Sequence, residues 1–252
     1  GDTYLQYIKD VMSCLRKKRE KIENYDLSKD FKLDIKLKNE LSSKAITSKT
    51  RDGKDMLYLS FMPEIDDVYE DSEKEYLFLI DISGSMMGVK LEETKRAVIE
   101  CLKQLDEGDK FNIIAFDHQF EVMSAHALEY NEKNMQEAAR YINNLRAAGG
   151  TEILNPIKFA LYENTEKVIL LFTDGQVGNE KQIIDFVKEH GKNSRIFPFG
   201  IDSNVNSYFI KQMAKAGNGK AELIQPNEKI DDKIIRTFAR IQTPMVEDIQ
   251  VD

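Results

Sequence analysis

Three oxygen-bearing side chains occupy alternate positions in the stretch FLIDISGSMMG, residues 78–88. They are Asp81, Ser83 and Ser85, and they stand where an apolar run ends. Carboxylate and hydroxyl oxygens are hard ligands of the kind that Mg²⁺ binds, and neither a phosphate-binding glycine loop nor a histidine accompanies them. If the loop stays extended, alternate side chains point the same way and the three converge. These residue types also cap helices and form turns, so the spacing alone fits a cap as well as a metal site.

Two other short segments carry oxygen ligands to positions where strands are predicted to end. Gly149-Gly150-Thr151 precedes a helix predicted from Leu154 and presents a hydroxyl from a glycine turn. Asp174 follows the apolar strand predicted over Val168–Phe172. The carboxyl ends of parallel strands share one edge of the sheet, and ligands bind there at the point where the strand order reverses. We therefore expect one site to be formed by Asp81, Ser83, Ser85, Thr151 and Asp174.

The elements that would position these residues alternate between short apolar runs and segments with helical periodicity. Apolar runs at 76–80, 111–116, 168–172 and 196–201 are typical of strands buried on both faces. Helical periodicity is present near 90–105, 132–146, 154–163, 180–190, 206–216 and 228–241. This order predicts an α/β fold with a doubly wound, mostly parallel sheet flanked by helices. Pro198 lies inside the fourth run, and because proline cannot donate to the ladder, we expect a bulge or a strand end there.

The first 72 residues have a different pattern. Residues 1–24 predict an amphipathic helix with a basic last turn. Residues 25–72 contain alternating stretches at 31–37 and 57–61 with a turn at 51–54 between them, and they predict a small β-containing appendage followed by an acidic linker. The α/β domain is predicted over 73–243, and residues 244–252 are interpreted as the start of a following strand.

The five oxygen-bearing residues together resemble the metal-ion-dependent adhesion site of the von Willebrand factor A (vWA) domain, which has a Rossmann-like fold. The resemblance covers residues 74–240, and all five ligand positions match: Asp81, Ser83, Ser85, Thr151 and Asp174. It implies Mg²⁺, with Mn²⁺ or Ca²⁺ as substitutes, held directly by Ser83 and Ser85 and bound directly or through water by the other three. It also implies that the remaining coordination position accepts an Asp or Glu carboxylate from a protein partner. A lysine of the same chain plugging the pocket would argue against that function.

The segments before and after the vWA-like region narrow the resemblance to one subgroup of the family. Residues 30–33 and 56–63 are similar to the last strands of the VIT domain that precedes the vWA domain in inter-alpha-trypsin inhibitor heavy chains and in the vault-associated ADP-ribosyltransferase. Residues 216–222 and 244–251 are similar to the same subgroup, whereas residues 1–24 do not fit its VIT domain. No transferase catalytic domain is visible in the sequence, so that activity is not carried over.

Composition excludes some classes of partner. The chain has 36 Lys and Arg against 44 Asp and Glu, a formal net charge of -8, which repels nucleic acid. No apolar run approaches the roughly 20 residues that cross a bilayer, and the sequence has no signal-peptide core, glycosylation sequon or disulfide framework. We expect a cytoplasmic rather than a secreted protein. The sequence leaves the oligomeric state and the identity of the partner open.

The predicted function is a non-enzymatic, Mg²⁺-dependent module that binds an acidic residue of a protein partner. One alternative is a metal-assisted phosphohydrolase in which a carboxylate at this edge is the nucleophile. That chemistry favours a second carboxylate near Asp81, a nearby cation or a glycine-rich phosphate cradle, but position 83 is serine and the loop through Gly88 has no cation. The other alternative is a scaffold piece of a larger multidomain protein whose metal site is unused.

Overall fold

The computed structural model describes residues 44–49, 53–60, 73–163, 165–174, 177–203, 205–226 and 228–242. The helix predicted over 1–24, the alternating stretch at 31–37 and the strand predicted over 244–252 lie outside these ranges. The chain divides into two compact units, Gly1–Val68 and Tyr69–Asp252. None of the helices in the described ranges combines the length and the apolar character that a bilayer-spanning segment needs.

The first unit contains an antiparallel hairpin of β1 (Lys44–Lys49) and β2 (Asp55–Ser60). Gly53 in the connecting turn has a φ of 83°, a conformation that glycine adopts without steric cost. The second strand lies where the sequence predicts it, and Gly53 lies in the predicted turn, whose first two residues are outside the described ranges. The strand that pairs with β2 is missing from the sequence analysis, because its residues, KAITSK, contain only one large apolar side chain and show no clear alternation.

The second unit is an α/β domain in which strands and helices alternate. The elements around the site are β3 (Glu75–Asp81), a 3₁₀ turn (Gly84–Met86), α1 (Val89–Leu102), β4 (Lys110–Phe116), β5 (Phe120–Val122), β6 (Leu128–Glu129), α2 (Glu132–Asn144) and α3 (Leu154–Ala160). The chain continues through β7 (Lys167–Thr173), α4 (Glu180–His190), β8 (Ser194–Ile201), α5 (Ser207–Ala216), β9 (Glu222–Ile224) and α6 (Ile230–Gln242). The four long strands and six helices agree with the predicted pattern, and the short strands β5, β6 and β9 were not predicted.

Seven strands form one sheet in the order β5-β4-β3-β7-β8-β9, and β6 also pairs with β4. β3, β4, β7, β8 and β9 are parallel, whereas β5 and β6 are antiparallel to β4. The chain moves from β3 to β4 on one side and then crosses back to β7 on the other. The strand order therefore reverses between β3 and β7, and this is the place where doubly wound sheets bind ligands.

Both faces of the sheet are covered, which explains why its strands are continuously apolar. Along β3, Phe78 and Ile80 pack on one face, while Leu77 and Leu79 pack on the other. The first face is covered by α1, α2 and α6, and the second by α3, α4 and α5. Because strand side chains alternate between faces, a strand buried on both faces needs an apolar residue at every position. Apolar packing on both faces thus holds the centre of the sheet in place. The loops at its edge are outside this apolar packing, so they can carry polar side chains.

Pro198 lies within β8, so the expected bulge or strand end is wrong. β8 pairs with β7 in continuous register through this position, Leu171 opposite Pro198. On the other side, β9 pairs with β8 only at Phe199–Ile201. The N–H of Ile196, which has the same parity as residue 198, points to that side and donates to Gly217 O over 2.7 Å. Proline is tolerated because its missing N–H faces the stretch of β8 that has no strand beside it.

Candidate metal site

Asp81 ends β3 and is held in a fixed orientation by two hydrogen bonds. Its side chain is fully buried. Thr173, the last residue of β7, donates its hydroxyl to Asp81 Oδ2 over 2.6 Å, and the backbone N–H of Ser83 donates to Oδ1 over 2.8 Å. The first of these bonds crosses the point at which the strand order reverses, so it ties the ends of β3 and β7 together.

Ser83 and Ser85 lie in a tight turn immediately after β3. The expectation of an extended loop is wrong, because Gly84–Met86 form a 3₁₀ turn, in which Met86 N–H donates to Ser83 O over 3.0 Å. The turn, rather than alternation along a strand, brings the two hydroxyl oxygens to 3.0 Å from each other. Ser83 is buried and Ser85 is exposed, so the pair leads from the interior to the surface. Gly88, the residue before α1, has a φ of 84°, a conformation that glycine adopts without steric cost.

The loop that carries Thr151 is joined to the serine turn by its backbone. Gly84 N–H donates to Gly149 O over 3.0 Å, and Ala148 N–H donates to Ile82 O over 2.8 Å. Gly149 has a φ of 72°, and a Cβ there would lie 2.5 Å from His118 Nδ1, so only glycine fits without movement. Thr151 follows two residues later and is half-buried. The loop that carries Thr151 is thus joined to the serine turn at Gly149, two residues before the threonine.

Asp174 follows β7 and is the most unusual carboxylate of the site. It is almost completely buried, and its Oδ1 atom has no hydrogen-bond partner among the described residues. Its Oδ2 atom accepts a hydrogen bond from Lys90 Nζ over 3.3 Å. A buried carboxylate oxygen without a partner is costly, about 1–3 kcal/mol or more. An atom in this state is a good candidate ligand for a cation.

Lys90 and Asp202 are site residues that the sequence analysis missed. Lys90, in the first turn of α1, contacts Asp174 Oδ2 at 3.3 Å and Asp202 Oδ2 at 2.8 Å. Two signals were present in the sequence. A lysine in the first turn of a helix opposes the helix dipole and needs an acidic partner. Asp202 follows an apolar strand, as do Asp81 and Asp174.

Lys90 touches the site but does not plug it. Among the five predicted residues, its ammonium group is hydrogen-bonded to Asp174, and the shorter of its two ion pairs is with Asp202. The Ser83 and Ser85 hydroxyls pair with each other, and no described residue hydrogen-bonds to Asp174 Oδ1. The set of oxygens that could hold a divalent ion is therefore still present, with one internal cation at its margin.

The electrostatics of the site favour an added positive charge. Burial raises the pKa of Asp81 to about 6, against the opposing effect of the hydrogen bonds from Ser83 and Thr173, and the nearby charge of Asp174 adds to the increase. Burial lowers the pKa of Lys90, but the hydrogen bond to Asp202 and the charge of Asp174 outweigh it, so the net pKa is raised. The hydrogen bond from Lys90 lowers the pKa of Asp202. A divalent ion would stabilise the charged form of Asp81.

The residues present fit a hard divalent cation. The three hydroxyls and two carboxylates of the predicted set all offer oxygen ligands, as Mg²⁺ requires. Within the described ranges, no group of three or more His, Cys, Asp and Glu side chains is arranged to hold a metal, so the hydroxyls are essential to any such site. The unpartnered Asp174 Oδ1 is the atom whose environment a cation would most improve.

Comparison with known sequences identifies the same domain. The sequence profile of the von Willebrand factor type A domain matches residues 74–223. A von Willebrand factor A domain-containing protein of Dictyostelium discoideum is 34% identical over 200 residues, covering 77% of this chain and 21% of the relative. Human von Willebrand factor A domain-containing protein 5B1 is 29% identical over 236 residues, covering 88% of this chain and 19% of the relative. The chain thus spans about a fifth of the length of these two relatives.

Comparison with solved structures supports the fold. A von Willebrand factor type A protein from Catenulispora acidiphila superposes with a TM-score of 0.60 at 20% identity, covering 68% of this chain and 42% of that one. The conserved hypothetical protein BatB from Bacteroides thetaiotaomicron gives a TM-score of 0.54 at 18% identity, covering 66% and 99%. At these identities the similarity concerns the fold alone. With the doubly wound sheet and the profile match over 74–223, it follows that the chain belongs to the von Willebrand factor A domain family.

Proposed function

We propose that this domain is a Mg²⁺-dependent protein-interaction module, and that the ion is held by Asp81, Ser83, Ser85, Thr151 and Asp174. Its partner would supply an Asp or Glu carboxylate to the ion. The observation that carries the proposal is the pair of Ser83 and Ser85 hydroxyls, 3.0 Å apart, beside a buried Asp174 oxygen that has no partner within the described ranges. This arrangement lies at the reversal of strand order in a family whose members commonly act as protein-interaction modules.

The division of charge explains why the ion would bind a partner. Three of the proposed ligands are neutral hydroxyls, and both Asp81 oxygens already accept hydrogen bonds, which leaves Asp174 as the main source of negative charge at a doubly charged ion. The exposed side of the ion would therefore keep positive charge, which a carboxylate from outside can neutralise. When bound, the ion supplies a Lewis-acidic coordination position, while Thr173 and Ser83 keep Asp81 oriented behind it.

The rim of the site suggests what flanks the partner's acidic residue. Two methionines follow Ser85 and differ in burial: Met86 is completely buried in the core, whereas Met87 is 67% exposed. Val89, two residues on, is 69% exposed. Exposed apolar side chains beside a polar site are typical of interaction surfaces. We therefore expect the partner to present an apolar side chain next to its carboxylate. Gln176, another rim candidate, lies outside the described residues.

The structure gives no support to the phosphohydrolase alternative. A nucleophilic carboxylate must be reached by the substrate, but Asp81 is fully buried and hydrogen-bonded at both oxygens. Lys90, the nearest cation described at this edge, is already paired with two carboxylates. The VIT-associated subgroup, a non-enzymatic role and a cytoplasmic location remain predictions from the sequence.

The proposal is tested first by isothermal titration calorimetry with MgCl₂ on the wild-type chain and on Ser85→Ala. We expect heat from the wild type and at least tenfold weaker binding by the variant, which loses one hydroxyl ligand. Ser124→Ala, in the polar stretch after β5, is the matched control and should bind like the wild type. Equal affinity for Mg²⁺ in wild type and Ser85→Ala would refute the assignment, as would an absence of heat from both.

The partner's chemistry is tested with an array of immobilised peptides that carry a central Asp flanked by varied residues, each paired with its Asn counterpart. We expect binding to Asp peptides that contain a neighbouring apolar residue, in Mg²⁺ and not in EDTA. Met87→Gln, which removes the apolar side chain without adding a charge, should weaken this binding and leave the Mg²⁺ affinity unchanged. Binding that survives EDTA, or that does not distinguish Asp from Asn, would exclude a metal-bridged carboxylate.

A further inference from the structure

Lys90 is placed between two carboxylates, one directly after β7 and the other directly after β8. Its Nζ atom lies 2.8 Å from Asp202 Oδ2 and 3.3 Å from Asp174 Oδ2, and the exposed fractions of the side chains are 25% for Lys90, 27% for Asp202 and 6% for Asp174. The three charges sum to -1, so among the residues that the structure describes one carboxylate charge has no counter-ion in this group. Lys90 therefore neutralises only one of the two carboxylate charges.

Asp202 is held in place independently of Lys90. Its backbone has a φ of 99°, a region that non-glycine residues rarely adopt and that costs of order 1–3 kcal/mol. Its N–H donates to Ile224 O over 2.9 Å, and its Oδ1 accepts from the Ser203 backbone N–H and hydroxyl. Only Oδ2 is directed at Lys90. The loop after β8 thus presents one carboxylate oxygen to the ammonium group from a fixed position.

We propose that Lys90 competes with the divalent cation for Asp174, and that Asp202 favours the cation by holding Lys90 to one side. This inference rests on the proposed Mg²⁺ site. The lysine pairs with a carboxylate of the metal site itself, and it comes from the helix that begins directly after the serine turn. Two cations at one carboxylate repel each other strongly in a partly buried environment, so a gain in the Lys90–Asp174 pair is a loss for the metal.

The competition gives opposite effects for two neutralising substitutions. Lys90→Met keeps the unbranched stem but removes the ammonium group, so Mg²⁺ should bind about tenfold more tightly, which corresponds to about 1.4 kcal/mol. Asp202→Asn removes the charge that draws Lys90 away, so the lysine pairs with Asp174 alone and Mg²⁺ should bind several-fold more weakly. In the double variant there is no lysine to redirect, and its affinity should stay within about threefold of that of Lys90→Met.

The double variant separates competition from a simpler role of Asp202. If Asp202 were itself a ligand or only an attractive charge, Asp202→Asn would weaken binding as much in the Lys90→Met background as in the wild type. Lys103→Met at the other end of α1 is the matched control, because it removes the same charge far along the helix, where Lys103 pairs with Glu100. Its affinity should equal that of the wild type.

The experiment is calorimetric titration of MgCl₂ into these four variants and the wild type, with melting in EDTA as a readout that needs no metal. In EDTA, Lys90→Met should melt below the wild type, because Asp174 and Asp202 are then both unpaired. Equal Mg²⁺ affinity in wild type and Lys90→Met overturns the inference while the proposed function stands. Binding by Lys90→Met alone supports the competition but overturns the proposed function, because the wild-type site is then closed by its lysine. Binding by neither overturns both.

Discussion

Asp174→Asn should separate the stability of the fold from the contribution of the metal. In EDTA the variant loses the 3.3 Å ion pair with Lys90, which is partly buried and worth about 1 kcal/mol. The variant also no longer buries a negatively charged oxygen that has no partner among the described residues. Removing that cost stabilises the fold by a similar amount and offsets the loss of the ion pair. We therefore expect the melting temperature in EDTA to remain within about 3 °C of that of the wild type.

The metal-dependent part of the stability can be calculated in the same way. At a Mg²⁺ concentration 100 times the dissociation constant, binding to the folded state contributes about 2.7 kcal/mol. The domain over residues 73–242 has roughly 170 residues, and an unfolding entropy of about 2.1 cal/mol/K per residue converts this free energy to an increase in melting temperature of about 8 °C. Asp174→Asn should lose most of this increase.

The assay is differential scanning calorimetry of wild type and variant, each in EDTA and in Mg²⁺. Asp185→Asn on α4, an exposed carboxylate that pairs with Lys188, is the matched control and should shift like the wild type. A Mg²⁺-induced increase in Asp174→Asn equal to that of the wild type would refute the reasoning. So would a wild-type melting temperature that does not respond to millimolar Mg²⁺.

Three further predictions concern the residues around the site. Burial raises the pKa of Asp81 to about 6 in the folded state, so the folded protein binds this proton more tightly than the unfolded chain does. Lowering the pH from 7 to 5 in EDTA should therefore stabilise the wild type by about 1.4 kcal/mol relative to Asp81→Asn, as measured by urea denaturation. Gly149→Ala places a Cβ on a backbone of positive φ and against His118, so it should lower the free energy of unfolding by about 1–2 kcal/mol and weaken Mg²⁺ binding. Gly150→Ala is the control, because a Cβ there meets open space and should change neither quantity. Glu93→Ala removes the carboxylate that accepts a hydrogen bond from the first N–H of α6 over 3.0 Å, so it should lower the free energy of unfolding by about 1 kcal/mol in the same denaturation assay. Glu100→Ala, on the exposed side of α1, is the control and should change that free energy by no more than about 0.5 kcal/mol.

The long strands and the helices could be predicted because their sequences have one physical explanation. A run such as Val168–Phe172 is apolar at every position, which only burial on both faces requires, and it lies within β7 (Lys167–Thr173). The strands β5, β6 and β9 have two or three residues, too few for any periodicity to be recognised. Their existence depends on the neighbouring strands that they extend, which is information the local sequence does not contain.

The candidate site was predictable in its residue types and less so in its geometry. A carboxylate after an apolar strand can be read directly, and the same rule would have found Asp202 had it been applied to the strand ending at Ile201. The proximity of Ser83 and Ser85 was expected for the wrong reason, because a 3₁₀ turn and not an extended loop brings them together. Lys90 escaped notice because its two partners lie 84 and 112 positions away along the chain.

The hydrogen bond from Thr173 to Asp81 joins residues 92 positions apart. During synthesis on the ribosome, the β3 end emerges well before β7, so Asp81 must stay hydrated until the later strand docks beside it. The oxygen cluster is consequently assembled only when the central strands have come together, and a partner that required it would recognise finished domains and ignore nascent ones.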